Sequence, residues 1–221
     1  MRRSQVDHGF ERIATLDIET THYDPGAGET VSIGVGVHDR GTASADATYE
    51  LFHRRSEGDE GRLIERALGR LDEWDADALV TYNGREFDLP FLADRRGAFG
   101  LDPIRPALDA PETHLDLFDA RKRELAPNQQ WPSLEGCLRS YGFEVPDTVW
   151  EGAPVTNVRF GEELGPAYLA SVRAGDERRQ TALLEVIDHY LLTDLEANVA
   201  LYYADVGERF EPAYLGPVGD R

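Results

Sequence analysis

The sequence predicts one α/β domain with three layers, helices on both faces of a mixed five-stranded sheet, and three observations carry that expectation. Three strands joined by short turns open the chain. An uninterrupted apolar strand then sits between two helical stretches, and long helical periodicities close it. At 221 residues the chain is long enough for one sizeable core.

Residues 1–10 are polar and read as a flexible lead-in, residues 11–210 as the single domain, and residues 211–221, with Pro212, Gly216 and Pro217, as a tail. The β-forming run Arg12–Ile18 begins the sheet. Thr21–Glu29, with Pro25, Gly26 and Gly28, is a turn-rich connection. Val31–Val37 alternates apolar with Gly or Ser, and its small face predicts close approach of another layer. After the Asp39-Arg40-Gly41 turn, Ala47–His53 completes an antiparallel meander. Leu63, Ile64, Ala67, Leu68, Leu71 and Trp74 fall at helical spacing. Ala78–Tyr82 has the apolar run of a strand buried on both faces, and the stretch from Phe87 to Gly97 reads as a second helix. His114–Phe118 is the fifth strand, followed by the basic cluster Arg121-Lys122-Arg123. Ser133 is placed as the N-cap of a helix that Gly142 ends. Residues 144–161 read as loop, Gly165–Val172 as a short helix, and Asp176 to about Tyr203 as a long one.

Forty-two acidic residues face 23 basic ones, a formal net charge of −19. On first reading that balance argues against a polyanionic partner. Lys122 is the one lysine; the remaining basic residues are arginine. An acidic, lysine-poor surface suits a halophilic cytoplasm, where molar salt screens charge within about 3 Å. Cys137 is the single cysteine, so a disulfide framework or a cysteine zinc site within the chain is excluded; it reads as a small core residue. No apolar run is long enough to span a membrane and no secretory segment follows Met1, so the protein is expected to be cytoplasmic.

The chemistry is suggested by acids. Asp17 and Glu19 lie two residues apart, so on a strand both leave one face. Two carboxylates on one buried face repel, and a divalent cation is the simplest compensation. Taken alone, the pair reads as a strand running into a solvated acidic loop. A second constellation, Tyr82-Asn83-Gly84-Arg85-Glu86-Phe87-Asp88-Leu89-Pro90, sits at the C-terminal end of the buried strand, where open α/β sheets place their sites. In the third, Leu183, Ile187, Tyr190 and Asp194 advance by four, three and four residues and share a helix face. An acid on that apolar face needs a partner, whereas Asp188, Glu185 and Glu196 read as solvated.

Together these motifs resemble the DEDD-type 3′–5′ exonuclease superfamily with its ribonuclease H-like fold. Asp17-Ile18-Glu19 matches the Asp-x-Glu motif, and Asp88 closes a second motif similar to that of B-family polymerase proofreading domains. Tyr190 and Asp194 match the Tyr-x-x-x-Asp motif of the DEDDy subclass. The chain is also similar to stand-alone ribonuclease H-like exonucleases related to those proofreading domains. The Ser133-Leu134-Glu135 helix also resembles that group, though it carries no chemistry in this reading.

The subclass turns on the third motif, because this chain offers both His189 and Tyr190. At roughly 100° per residue, Tyr190 lies about 40° and His189 about 140° from Asp194 on a running helix. Tyr190 is therefore the expected partner and His189 the alternative general base.

The resemblance implies two Mg²⁺ or Mn²⁺ ions held by Asp17, Glu19, Asp88 and Asp194, with Tyr190 orienting the attacking water. It also implies a single-stranded 3′ end of DNA or RNA as substrate and a possible polymerase or repair-complex partner. Bound divalent ions would offset the acidic charge at the site. Asn83, Arg85, Phe87, Arg121, Lys122 and Arg123 are candidate substrate contacts. Phe91 and Trp131 could also stack on a base, although core packing is the default for both. A ribonuclease H-type endonuclease and a non-catalytic nucleic-acid-binding or polymerase-accessory module on the same scaffold are the competing expectations.

Overall fold

The structure, a computed structural model, describes residues 1–215; Gly216 and Pro217 of the expected tail lie outside that range. The sheet runs in the order β3-β2-β1-β4-β5, built from β1 (Arg12–Thr20), β2 (Thr30–Asp39), β3 (Thr48–His53), β4 (Ala78–Thr81) and β5 (His114–Asp116). The first three strands are the expected antiparallel meander. β4 and β5 add in parallel, since each follows a crossover.

Alternation along β1 divides the layers. Ala14, Leu16 and Ile18 face a core shared with α1 (Glu60–Glu73) and α2 (Leu89–Ala98). Ile13 packs on the other side, against α4 (Leu134–Tyr141) and the long α7 (Glu177–Val206). Thr15, Asp17 and Glu19 share Ile13's parity and so point at α7. Asn198 of α7 confirms this by donating to Thr15 Oγ1 at 3.3 Å. The small face of β2 does what the sequence predicts. Gly34 pairs with Asp17 in register, and a Cβ there would lie 2.6 Å from Leu195 Cδ1 and 2.9 Å from Leu191 Cγ. Only a glycine lets α7 sit this close.

Several boundaries move for local reasons. The expected strand through Phe118 stops at Asp116, because that carboxylate accepts the N–H groups of Phe118 and Asp119 at 3.0 Å and caps α3 (Leu117–Lys122). The second helix begins only after a wide turn over Gly84–Asp88, which follows Asn83 at φ 76°. Within the expected loop lie a hairpin, β6 (Val149–Trp150) and β7 (Ala153–Pro154), and the one-turn helix α5 (Asn157–Arg159). A further wide turn over Phe160–Leu164 leads into α6 (Gly165–Ala174). Residues 1–10 form no regular element, yet Gln5 N–H donates to Asp205 O at 2.9 Å and Arg3 N–H to Tyr141 Oη at 2.8 Å.

Glu196, expected to be solvated, is fully buried on α7. Its carboxylate accepts the backbone N–H groups of Ala213, Tyr214 and Leu215 at 2.7, 2.6 and 2.9 Å. Three donors satisfy a charge that burial alone would penalise. Cys137 is in the core, as expected.

Candidate active site

Three elements bring the acids together. β1 carries Asp17 and Glu19 toward α7, and α7 returns Asp194 against them, so that oxygens of these three carboxylates lie within 4.8 Å of one another. Asp88 stands outside that trio. It closes the Gly84–Asp88 turn at the end of β4, is buried, and lines the same cleft of about 400 Å³ together with Asn83, Phe87 and Phe118. A wider groove of about 930 Å³ meets this cleft at Asp17 and Asp194 and passes Tyr190 and Glu135.

The electrostatics are one-sided. Burial, then repulsion from Asp194 and Asp88, pushes the Asp17 carboxyl well above its usual range. Glu19 rises for the same reasons, burial first and Asp17 next. Asp194 is pushed up to about 8 by burial and by Glu135, and Asp88 to about 7, chiefly by burial. Among the described residues, no basic side chain acts on any of the four. Clustered like charges at low exposure are costly as they stand and become favourable around a cation. The donor set is all oxygen, with neither thiol nor imidazole, and so fits a hard divalent ion.

Tyr190 follows the same face of α7 to the edge of the site. Its phenol donates to Asn157 Oδ1 at 2.6 Å, and its ring stacks on Phe160 with centroids 5.8 Å apart. Burial and the nearby charges of Glu19, Asp194 and Asp17 push that phenol far up, so it holds its proton. His189 is exposed one residue earlier and faces elsewhere, its Nδ1 2.7 Å from Thr148 Oγ1.

The expected basic contacts do not form one surface. Arg121 is wholly buried, 2.7 Å from Asp205 and 3.1 Å from Leu117 O, which corrects its assignment to substrate. Arg85 turns away from the cleft and donates to the carbonyls of Ala110, Pro111 and His114, a second correction. Arg123 is exposed and paired with Asp119. Lys122 stays beside the site, 2.5 Å from Glu86. Asn83 and Phe87 line the cleft. Phe91 is core, as expected by default, whereas Trp131 is 67% exposed.

Sequence reasoning missed Asp116, which also accepts the N–H groups of Asn83 and Arg85 at 3.0 Å and so anchors the turn carrying Asp88. It missed Asn157 too, and it gave Glu135 no chemistry although that carboxylate lines the same groove as Asp194 and raises its pKa. Nothing in the spacing of these residues marks them, because each acts through tertiary placement.

A mixed sheet under helices on both faces, with acids of low exposure converging from the ends of β1 and β4 and from α7, is the arrangement of a ribonuclease H-like, nuclease-type fold. A model of the RNase_H superfamily matches residues 14–204, and the chain belongs to that superfamily. Two DNA polymerases are similar over 93 residues, 41% of this chain. The one from Thermococcus aggregans is 29% identical, and the one from Thermococcus litoralis is 28% identical. The match spans 5% and 6% of their respective lengths. Among solved structures, the family B DNA polymerase from the hyperthermophilic archaeon Pyrobaculum calidifontis superposes with a TM-score of 0.49 at 19% identity. That superposition covers 89% of this chain and 27% of the polymerase chain. No helix among the described residues is long and apolar enough to cross a membrane.

Proposed function

We propose that the protein is a metal-dependent 3′–5′ exonuclease, which hydrolyses nucleic-acid phosphodiester bonds one at a time from the 3′ end. The observation that carries this reading is the convergence of Asp17, Glu19 and Asp194 within 4.8 Å, in a cleft that Asp88 also lines, with Tyr190 beside it. Asp17, Glu19, Asp88 and Asp194 would hold two Mg²⁺ or Mn²⁺ ions. Bound there, such ions stabilise negative charge on the reacting phosphoryl group and leaving oxygen, and make water more acidic.

The chain's own residues do the rest. The four acids set where the phosphodiester can sit, and they reject it until a cation offsets their charge. Tyr190 is fixed by Asn157 and Phe160, and a phenol with an ordinary pKa near 10 orients water or a phosphoryl oxygen better than it serves as a base. The similarity to DNA polymerases supports DNA ends as the first substrate to test and a polymerase or repair complex as a partner.

The test is purified protein with Mn²⁺ and 5′-labelled single strands of DNA and RNA. A ladder shortening from the 3′ end, lost in Asp17→Asn, is expected. Internal cuts would point to an endonuclease, and no Asp17-dependent cleavage would point to a binding module. On the subclass, Tyr190→Phe should lower kcat by about 100-fold, while His189→Ala leaves it within about threefold. The reverse order would reassign the third motif to His189.

A further inference from the structure

Beside the acids, the wall of the cleft continues into an aromatic surface that the hydrolytic chemistry does not use. Phe118 lines the cleft, and the Trp131 ring stands against it edge-on, with centroids 5.7 Å apart. Trp131 lies outside any helix or strand and is 67% exposed. Lys122, the one lysine of the chain, holds its Nζ 5.3 Å from the centroids of both rings. A large indole left open to water, braced by a second ring and flanked by a cation, is suited to an occupant with a flat face and negative charge.

We propose that Phe118, Trp131 and Lys122 form a stacking platform for an unpaired nucleic-acid strand, with Trp131 receiving a base upstream of the terminal nucleotide and Lys122 the adjoining phosphate. The proposal rests on the exonuclease reading for the identity of the occupant, because the platform is continuous with the cleft where the scissile bond would lie. Stacking asks only for a free base face, so it is indifferent to base identity and closed to a base already stacked inside a duplex. Within that single-stranded class, the platform favours 3′ ends whose unpaired stretch reaches past the terminal nucleotide to Trp131. Lys122 now pairs with Glu86, and a phosphate would compete for that ion pair.

The test is binding, read separately from cleavage. Single-stranded 20-mers of DNA and of RNA are titrated with Ca²⁺ as the divalent ion, following tryptophan fluorescence. The intact strand should quench the wild type. Trp131→Phe should lose the quench and keep affinity, and Trp131→Ala should weaken Kd about tenfold or more. Abasic nucleotides are then placed singly at the four 3′-terminal positions. Removing the base at one position upstream of the last should weaken the wild type but not Trp131→Ala. No quench, an unchanged Kd in Trp131→Ala, or equal abasic sensitivity in both proteins overturns the platform. Shortening by Mn²⁺-loaded protein is scored in parallel. Binding without shortening sinks the exonuclease reading alone, whereas shortening that ignores Trp131 sinks the platform alone. Because Trp131 is exposed, its variants should melt like the wild type.

Discussion

Asp17→Asn is expected to abolish cleavage, by about 1,000-fold or more, and at the same time to make the metal-free protein more stable. The two outcomes come from one cause. Asp17 sits among Glu19, Asp194 and Asp88, and no basic side chain among the described residues acts on it, so its ionised form is useful only around a cation. The pH dependence carries a definite sign. Carboxyls whose pKa is raised in the folded state bind more protons there than in the unfolded chain, where an aspartate titrates near 3.9. Their stabilising contribution is complete below that value. It is lost as pH rises through about 7 for Asp88 and about 8 for Asp194. His38 and His114, held neutral by burial, act in the opposite direction below about 6.5. The informative window is therefore pH 7 to 8.5, in EDTA.

In that window the wild type should lose melting temperature as pH rises, and the Asn variant should melt higher by about 5–10 °C with a flatter slope. Mn²⁺ should raise the wild type at pH 8 and leave the variant nearly unmoved. Should EDTA and the substitution both leave the pH 8 melting temperature unchanged, the acids are not a mutually repelling set.

Arg121→Met carries the second large effect, and it falls on stability. Arg121 and Asp205 are both fully buried in their side chains, 2.7 Å apart. Removing one partner strands the other charge, at a cost of about 3–5 kcal/mol. For a domain of this size that is about 6–20 °C of melting temperature. Strand shortening below the transition should keep its rate. Pairing the change with Asp205→Leu should recover most of the loss, because an apolar pair replaces an ionic one. A variant that melts normally but binds strands weakly would restore Arg121 to the substrate surface.

The contrast between these residues shows what was legible in the sequence. Sheet and helices could be read because burial is periodic. The Gly/Ser alternation of Val31–Val37 and the spacing from Leu183 to Asp194 each announce a face before any partner is known. The shared faces of Asp17 with Glu19 and of Tyr190 with Asp194 were legible for the same reason, whereas their grouping with Asp88 came from the resemblance to the exonuclease motifs. The fates of single charged side chains were not legible. Arg121, Arg85 and Glu196 look solvated until Asp205, the carbonyls of 110–114 and the backbone of 213–215 arrive from distant segments. Asp116 likewise read as a strand residue, because capping α3 and anchoring the Asp88 turn are both properties of its neighbours. Trp131 defeated the default for its residue type: composition assigns indoles to cores, and only exposure reveals one kept outside.

Gly34 gives that lesson a practical edge for anyone comparing variants of this protein. It offers no functional group, touches no substrate in any proposal above, and would be passed over in a search for reactive side chains. Yet the space it leaves is what sets the depth of the helical turn bearing Asp194. A methyl group there would push that turn outward and widen the distance between carboxylates. Loss of activity at this position would then mimic loss of a ligand while every ligand remained in place.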